Sequence, residues 1–221
     1  MKQRGAIEKP FPEDARRIRL TSIDHLGNIG SVDLKRCIAN RKSCRDYLDT
    51  PLSLDELSFL LWATQGVRLK LDSGHALRTV PSAGCRHAFE TWLCVLNVEG
   101  LEKGIYRYLP VEYELLFVQA PENLETRIVR ASLGQSFTAD AAVTFIWTAI
   151  PYRMEWRYGL AAHKVIALDA GHVCQNLYLA CTAIGAGTCA IAAYHQAGMD
   201  ALIGVDGQEE FTIYLATAGK K

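Results

Sequence analysis

The 221-residue sequence lacks long hydrophobic runs and carries no net charge. No apolar stretch approaches the roughly 18 residues at which a membrane-spanning helix becomes a candidate, and Met1 to Thr21 is charged rather than signal-like. The 24 basic and 24 acidic residues cancel, which leaves no overall field to attract nucleic acid or an anionic membrane. These absences predict a soluble cytoplasmic protein that binds neither nucleic acid nor membrane.

Motifs typical of disulfide, zinc and nucleotide sites are also missing. Seven cysteines cannot all pair and no CxxC occurs, which is typical of a reducing compartment. Neither a GxGxxG fingerprint nor a Walker motif is found. Cys85 and His87 lack the ligand spacing of a structural zinc site, so no metal is predicted. A nucleophilic Cys85 would need a base held within hydrogen-bond reach, which the sequence does not establish.

The residues that are present indicate a globular α+β chain. Hydrophobic residues make up 49% of it and charged residues 22%, enough for a sizeable core. A helix is predicted from a cap at Ser31 through Leu34 and Ile38 toward Asn40. Ser53 and Glu56 form a capping box for a second helix, which Gln65-Gly66 ends.

Further elements follow from apolar periodicity. Residues 123–133 and about 160–184 are predicted helices, and the strands are predicted in TWLCVLN (91–97), GIYRYLP (104–110), YELLFV (113–118), AAVTFIWTAI (141–150), TCAIAAY (188–194) and FTIYLATAG (211–219). Without repeats or linkers, the economical organisation is an N-terminal arm over 1–30 and one domain over 31–221.

Four polar residues follow the first predicted helix within five positions: Arg41, Lys42, Ser43 and Arg45. Two guanidinium groups and a hydroxyl with this spacing can converge on one anion, and arginine suits bidentate phosphate contacts. The alternative is a solvated basic helix end, where cations favour the helix dipole. The GAGT stretch at 185–188 is similarly open: it is a helix C-cap and turn, or a place where the backbone approaches a planar ligand closely.

Six stretches in register resemble one family. RKSCRDY resembles the R-x-S-x-R segment of the FMN-dependent nitroreductase-like flavoproteins, LSLDELSFLLWATQG is similar to the helix after it, and RTVPSAG is similar to their flavin-contacting loop. NVEGLEKGIYRYLP, LDAGHVCQNLYLACTAIGAGTCAI and LATAGKK extend the match to the region from about Asp33 to Lys221. The motifs PSAG and DAGHVCQNLYLA are most similar to those of the SagB-type dehydrogenase branch.

The resemblance implies an α+β nitroreductase-like fold, with a mostly antiparallel central sheet flanked by helices in an intertwined homodimer. Two FMN sites would lie at the subunit interface. The resemblance places the phosphate on Arg41, Ser43 and Arg45, with Lys42 beside them and Lys220 or Lys221 closing the cluster. The other contacts that it implies are Pro81, Ser82 and Ala83 from the partner chain, and the backbone of Gly187, Ala190, Ala192 and Ala193 along the isoalloxazine edge, with an amide near Ala192 or Ala193 directed at N5.

The activity that the resemblance implies is ping-pong electron transfer from NADH or NADPH through flavin N5 to an electron-poor small molecule such as a nitroaromatic or quinone. The flavin carries the redox chemistry, so no catalytic side chain is needed. The segment PYRMEWRYG (151–159) is our candidate for the substrate rim, with Arg153, Trp156 and Tyr158. An ordinary surface loop with partly buried aromatics is the alternative.

The sequence also departs from the family's wording. After PSAG, the residues usual in this branch are replaced by Cys85, Arg86, His87 and Ala88. We expect Cys85 and His87 to influence substrate choice. Azoline-oxidising relatives carry a Lys-Tyr pair, and the counterpart here is Arg157-Tyr158; arginine is a poor proton shuttle. Two alternatives to the NAD(P)H oxidoreductase therefore remain, a dehydrogenase that oxidises a peptide or small heterocycle with FMN, and a flavin-binding protein without turnover.

Overall fold

The computed structural model describes residues 5–221. Its strands are β1 Arg17–Arg19, β2 Val67–Asp72, β3 His75–Arg78, β4 Phe89–Val95, β5 Gly104–Leu109, β6 Glu114–Gln119, β7 Val143–Ala149, β8 Ala186–Ile191 and β9 Phe211–Lys220. Its helices are α1 Leu34–Asn40, α2 Leu54–Gln65, α3 Leu124–Ala131, α4 Phe137–Asp140, α5 Tyr152–Tyr158, α6 Ala162–Ala183 and α7 Gln196–Ile203.

Seven strands form one antiparallel sheet in the order β1-β6-β5-β4-β7-β9-β8, and β2 and β3 form a separate hairpin. Strand β7 lies inside the sheet, where Val143 pairs with Val95 on one side and Ala218 on the other. Strand β8 ends the sheet, so one of its edges is available to other parts of the chain. The predicted α+β class with a mostly antiparallel sheet and flanking helices is confirmed.

The sheet separates two hydrophobic cores because alternate side chains of a strand point to opposite faces. Leu93 of β4 lies in a core with residues of α2 and α6, whereas Trp92 and Cys94 lie in a second core with residues of α3 and α7. Strands β4, β5 and β7 are buried along their whole length. Coverage of both faces explains why these strands are nearly continuous apolar runs in the sequence.

Helix α1 is capped two residues later than predicted. The carboxylate of Asp33 accepts a hydrogen bond from the Arg36 amide at 3.1 Å. An N-cap side chain must face the amide two or three residues ahead, and with the helix starting at Leu34 only position 33 meets that condition. The prediction of Ser31 as the cap is therefore wrong, whereas the predicted end near Asn40 is confirmed.

Helix α2 begins with the predicted capping box. Ser53 Oγ accepts from the Glu56 amide at 3.1 Å, and the Glu56 carboxylate accepts from the Ser53 amide at 2.9 Å. The helix runs to Gln65, and its buried face includes Leu57, Leu60 and Leu61. The signal in the sequence and the contacts in the structure therefore agree at this helix start.

We expect Ser53→Ala to lower the free energy of unfolding by about 1 kcal/mol, because it removes the side-chain acceptor at a helix N-terminus. Chemical denaturation measures the loss. Ser136 precedes α4 in the equivalent position but makes no capping bond through its side chain, so Ser136→Ala is the matched control and should change stability little. Equal losses in the two variants would contradict the capping role of Ser53.

Residues 5–30 contact the domain at several points. Strand β1 pairs with β6 at the end of the sheet. The Lys9 amide donates to the Glu90 carboxylate at 3.0 Å, and Arg107 Nη2 donates to the Lys9 carbonyl at 2.9 Å. Met1 to Arg4 of the predicted arm lie outside the described residues. The described part of the arm is thus fastened to the sheet, and the boundary at residue 30 stays a prediction.

Candidate functional site

The segment 41–45 lies along the outer edge of β8. The Cys44 amide donates to the Thr188 carbonyl at 2.9 Å, and Ser43 forms a parallel bridge with Thr188. This contact joins the end of α1 to a strand almost 150 residues further along the chain. The cationic segment is therefore placed on the sheet by backbone hydrogen bonding, as an addition to a free strand edge.

Tyr178 of α6 links this segment to β8. Its hydroxyl lies 2.8 Å from Ser43 Oγ and accepts from the Ala190 amide at 3.0 Å. The Arg41 guanidinium lies over the Tyr178 ring, 5.1 Å from the ring centre, in a cation–π arrangement. The sequence reasoning did not identify Tyr178; a tyrosine on the apolar face of the long helix was the available signal.

The cations of the segment differ in their surroundings. Arg45 lies over the ring of Phe137, 5.8 Å from its centre. Burial raises the pKa of the Cys189 thiol, whereas the positive charge of Arg45 lowers it; Arg45 follows Cys44, whose amide bonds to β8. Lys42 is exposed between its neighbours. Arg41 and Arg45 thus flank Ser43, the residue that bridges to β8.

The two C-terminal lysines lie in different places. Lys220 forms an ion pair with Glu56, the same carboxylate that completes the capping box of α2. Lys221 lies beside Gly187, since its Cδ is 3.4 Å from the position that a β-carbon on that glycine would take. Of the two lysines considered for the anion cluster, Lys221 is the one next to the 41–45 segment.

Gly187 permits the close approach of the two segments. A β-carbon at this position would lie 2.7 Å from Cys44 Cβ and Sγ, closer than such atoms approach. Along the outer edge of β8, the Thr188 carbonyl accepts a hydrogen bond from the Cys44 amide, and the Ala190 amide donates to the Tyr178 hydroxyl. Ala192 and Ala193 follow and are exposed, which leaves the continuation of this edge open to a ligand.

The Pro81–Ala83 stretch lies on α6 at a different point. The Ala83 amide donates to both carboxylate oxygens of Asp169, at 3.1 and 3.2 Å. Asp169 is buried, and burial raises its pKa while the bonds from Ser82 and Ala83 oppose the rise. Asp169 was missed in the sequence; an acid within the apolar spacing of a long helix was the signal.

Cys85 and His87 are neighbours in this turn. Cys85 Sγ lies 3.6 Å from His87 Nε2 and donates to the Ala76 carbonyl at 3.1 Å. Burial and the positive charge of Arg78 lower the pKa of His87 to about 3. The imidazole is therefore neutral near pH 7, and a charged imidazolium that would stabilise a thiolate is disfavoured.

The candidate rim residues divide into two groups. Trp156 lies under the Arg86 guanidinium, 5.2 Å from the indole centre. Tyr158 borders the turn, because a β-carbon on Gly84 would lie 2.5 Å from its hydroxyl. Arg153 lies elsewhere: its buried guanidinium pairs with the buried Glu90 at 2.5 Å. The segment is helix α5, so the surface-loop alternative is wrong for its conformation, and Arg153 does not reach a rim.

Fold and site together define an α+β protein with a cluster of cationic side chains at the edge of an antiparallel sheet. Among residues 5–221, no group of three or more histidine, cysteine, aspartate or glutamate residues is arranged to hold a metal ion. Over the same residues, no helix has the length and apolar character needed to cross a membrane.

A model of the nitroreductase family matches residues 38–220. A nitroreductase-family protein of Methanocaldococcus jannaschii is 31% identical over 196 residues, which cover 89% of this chain and 95% of that protein. The crystal structure of a nitroreductase-family protein from Ralstonia eutropha superposes with a TM-score of 0.76 at 26% identity, covering 98% of this chain and 97% of that one. The chain belongs to the nitroreductase family.

Two structures of lower identity share the fold. One is the Escherichia coli microcin synthetase McbBCD complex, with a TM-score of 0.68 at 20% identity over 97% of this chain and 78% of that chain. The other is the NADPH:FMN oxidoreductase of Vibrio harveyi, with a TM-score of 0.60 at 13% identity over 85% of this chain and 68% of that chain. Membership of the nitroreductase family supports an oxidoreductase.

Proposed function

We propose that the protein is an FMN-dependent oxidoreductase whose flavin phosphate is held by Arg41, Ser43, Arg45 and Lys221. The observation that carries this proposal is the placement of the 41–45 segment on the outer edge of β8 beside Gly187, with Lys221 adjacent. Cations from opposite ends of the sequence thereby meet at one sheet edge. A solvated basic helix end would need no such placement.

The chemistry of this donor set fits a phosphate group. Guanidinium groups bond phosphate oxygens bidentately, and a hydroxyl and an ammonium group supply further donors. Gly187 leaves no side chain where the segments meet. The family resemblance, together with the name of the Vibrio harveyi NADPH:FMN oxidoreductase, supports FMN as the ligand. Lys220 is left out of the cluster because Glu56 occupies its ammonium group.

Bound FMN would supply the redox chemistry, taking hydride from NADH or NADPH at N5 and reducing an electron-poor acceptor such as a nitroaromatic or quinone. The chain's own part is orientation. Because strand amides alternate in direction, Ala192 continues the outward-facing series that includes Ala190. We assign the Ala192 amide, or that of Ala193, as the donor to the flavin edge. No acidic or nucleophilic side chain is required.

The proposal includes a homodimer, which the positions of the two contact groups on α6 support. The 41–45 segment contacts α6 at Tyr178, and the Pro81–Ala83 stretch contacts α6 at Asp169. Tyr178 and Asp169 are nine residues apart. An α-helix of this length advances about 13.5 Å and turns through about 180°. The two groups therefore lie on opposite sides of α6 in one chain, which supports a flavin bound between the 41–45 segment of one subunit and the Pro81–Ala83 stretch of its partner.

The proposed substrate rim consists of Trp156 and Tyr158, which flank the turn after Ala83. Aromatic side chains of this kind suit a planar, electron-poor small molecule through stacking. Arg86 contributes positive charge over the indole. We therefore place the electron acceptor beside the turn at residues 85–88, where the sequence differs from the family's usual motif.

A second candidate is a dehydrogenase that oxidises a peptide or small heterocycle with FMN. It is favoured by the Arg157-Tyr158 pair, which lies against the turn: a β-carbon on Gly84 would be 3.1 Å from Arg157 Nε. The similarity of fold to the microcin synthetase complex also agrees with it. Arginine in place of lysine weighs against it, because a guanidinium group does not release its proton.

We expect the purified protein to be a yellow dimer that releases FMN rather than FAD. Under anaerobic conditions NADH or NADPH should bleach the flavin absorbance, and a nitroaromatic or quinone should restore it. The controls are each reductant with free FMN. A colourless protein that does not bind added FMN would contradict the proposal. Bleaching by a peptide substrate alone would favour the second candidate, and bound FMN that no donor reduces would indicate a flavin-binding protein without turnover.

A further inference from the structure

The turn that follows Pro81 has an unfavourable backbone. Gly84, Cys85 and His87 have φ angles of 58°, 56° and 48°. Residues with a side chain rarely adopt this left-handed region, and two of these three carry one. Such conformations persist only where surrounding contacts hold them. The contacts that hold this turn are therefore informative about its role.

A single buried carboxylate fastens the turn to α6. Asp169 accepts from the Ala83 amide at 3.1 and 3.2 Å, and the adjacent Ser82 hydroxyl lowers the pKa of this carboxylate. Ser82 Oγ in turn accepts from the His87 amide at 2.9 Å. Asp169 thus ties the residue before the left-handed stretch to α6, and Ser82 ties the end of that stretch back to its start.

Burial of the Asp169 carboxylate is unfavourable unless hydrogen bonds offset the loss of solvation. The residue is only 3% exposed, and it occupies the buried face of α6 with Ile166, Ala170 and Val173. An ionised carboxylate among apolar side chains loses solvation that only strong hydrogen bonds offset. An apolar residue would serve packing alone at this position.

We propose that Asp169 is a positioning residue that presets the stretch Pro81–Ala83 for contact with the flavin and holds Cys85 and His87 in place. This inference rests on the proposed function for its flavin contact. The shape of the turn itself can be measured without flavin, through the reactivity of Cys85.

The test compares Asp169→Ala with the unmodified full-length protein by two readouts. Cys85 is partly exposed, whereas the other six cysteines are buried, so the fast phase of reaction with a thiol reagent reports on Cys85; Cys85→Ser should remove it. We expect Asp169→Ala to change this rate by about tenfold and to weaken FMN binding by about tenfold, the equivalent of about 1.4 kcal/mol. Asp169→Asn keeps an acceptor oxygen and should recover most of both properties.

Asp200→Ala is the matched control. Asp200 is also a buried carboxylate, and it accepts from the Thr212 amide at 2.7 Å and from Gln196 near the other core. This variant should lose stability without a change in Cys85 reactivity or FMN affinity. If Asp169→Ala does not fold, Ser82→Ala removes the acceptor of the His87 amide in the same turn and should alter the Cys85 rate.

The outcomes separate the two proposals. Unchanged Cys85 reactivity and FMN affinity in Asp169→Ala, or changes no larger than those of Asp200→Ala, would overturn the positioning role. Failure of the unmodified protein to bind FMN would overturn the proposed function. In that case the thiol reaction would still decide whether Asp169 holds the turn.

Discussion

Replacement of both Arg41 and Arg45 by alanine should yield a colourless protein. The variant loses two charge-assisted contacts to the proposed phosphate, each worth about 1.5–3 kcal/mol, which corresponds to an affinity loss of at least about a hundredfold. The ratio of flavin to protein absorbance after purification measures occupancy, and titration with FMN gives the dissociation constant. Stoichiometric FMN in the double variant would contradict the assignment of the phosphate site.

A charge-matched variant separates this contact from a general loss of positive charge. Lys35 and Arg36 lie on α1 and are exposed. Lys35→Ala with Arg36→Ala removes the same charge just before the 41–45 segment and should leave the protein yellow. Because Arg41 also lies over Tyr178, unfolding of both double variants should be followed to establish that each one is folded.

The largest expected effect on stability is that of Glu90→Ala. Glu90 and Arg153 are 2% and 5% exposed and form an ion pair at 2.5 Å. Removal of the carboxylate leaves a buried guanidinium without its partner, which costs about 3–5 kcal/mol. The Lys9 amide loses its acceptor as well. Urea denaturation should show a large fall in the midpoint.

An exposed ion pair provides the comparison. Glu102 pairs with Arg16 at the surface, with side chains 47% and 59% exposed. Glu102→Ala should cost at most about 1 kcal/mol, because solvent screens exposed pairs. A loss in Glu90→Ala no greater than that in Glu102→Ala would show that the buried pair does not hold the N-terminal segment and α5 to the sheet.

Elements with strong local signals could be predicted from the sequence. The capping box at Ser53, the buried strand at 141–150 and the long helix now bounded as Ala162–Ala183 each follow from patterns within one element. Strand β1 and the β2–β3 hairpin were missed. β1 has three residues and is defined by its pairing with β6, and β2 is largely exposed, so neither presents the apolar pattern of a buried strand.

The candidate site was predictable only in part, because its contacts join residues distant in sequence. The spacing of Arg41, Ser43 and Arg45 indicated a candidate anion site, and the family resemblance assigned it to a phosphate and drew attention to Pro81–Ala83. The ion pairs of Lys220 with Glu56 and of Arg153 with Glu90 depend on how the sheet brings distant segments together. Because of these pairs, Lys220 is not in the expected phosphate cluster and Arg153 is not at the expected substrate rim. Asp169 was missed for the same reason: its role depends on what the turn places against it.

The bridge between Ser43 and Thr188 also bears on aggregation. An uncovered edge strand such as β8 offers unpaired amides and carbonyls to another chain, and charged residues at such an edge oppose that pairing. The 41–45 segment occupies part of this edge and carries three cations. The same five residues that are proposed to hold the flavin phosphate therefore also cover part of an edge that could otherwise pair with a strand of another molecule.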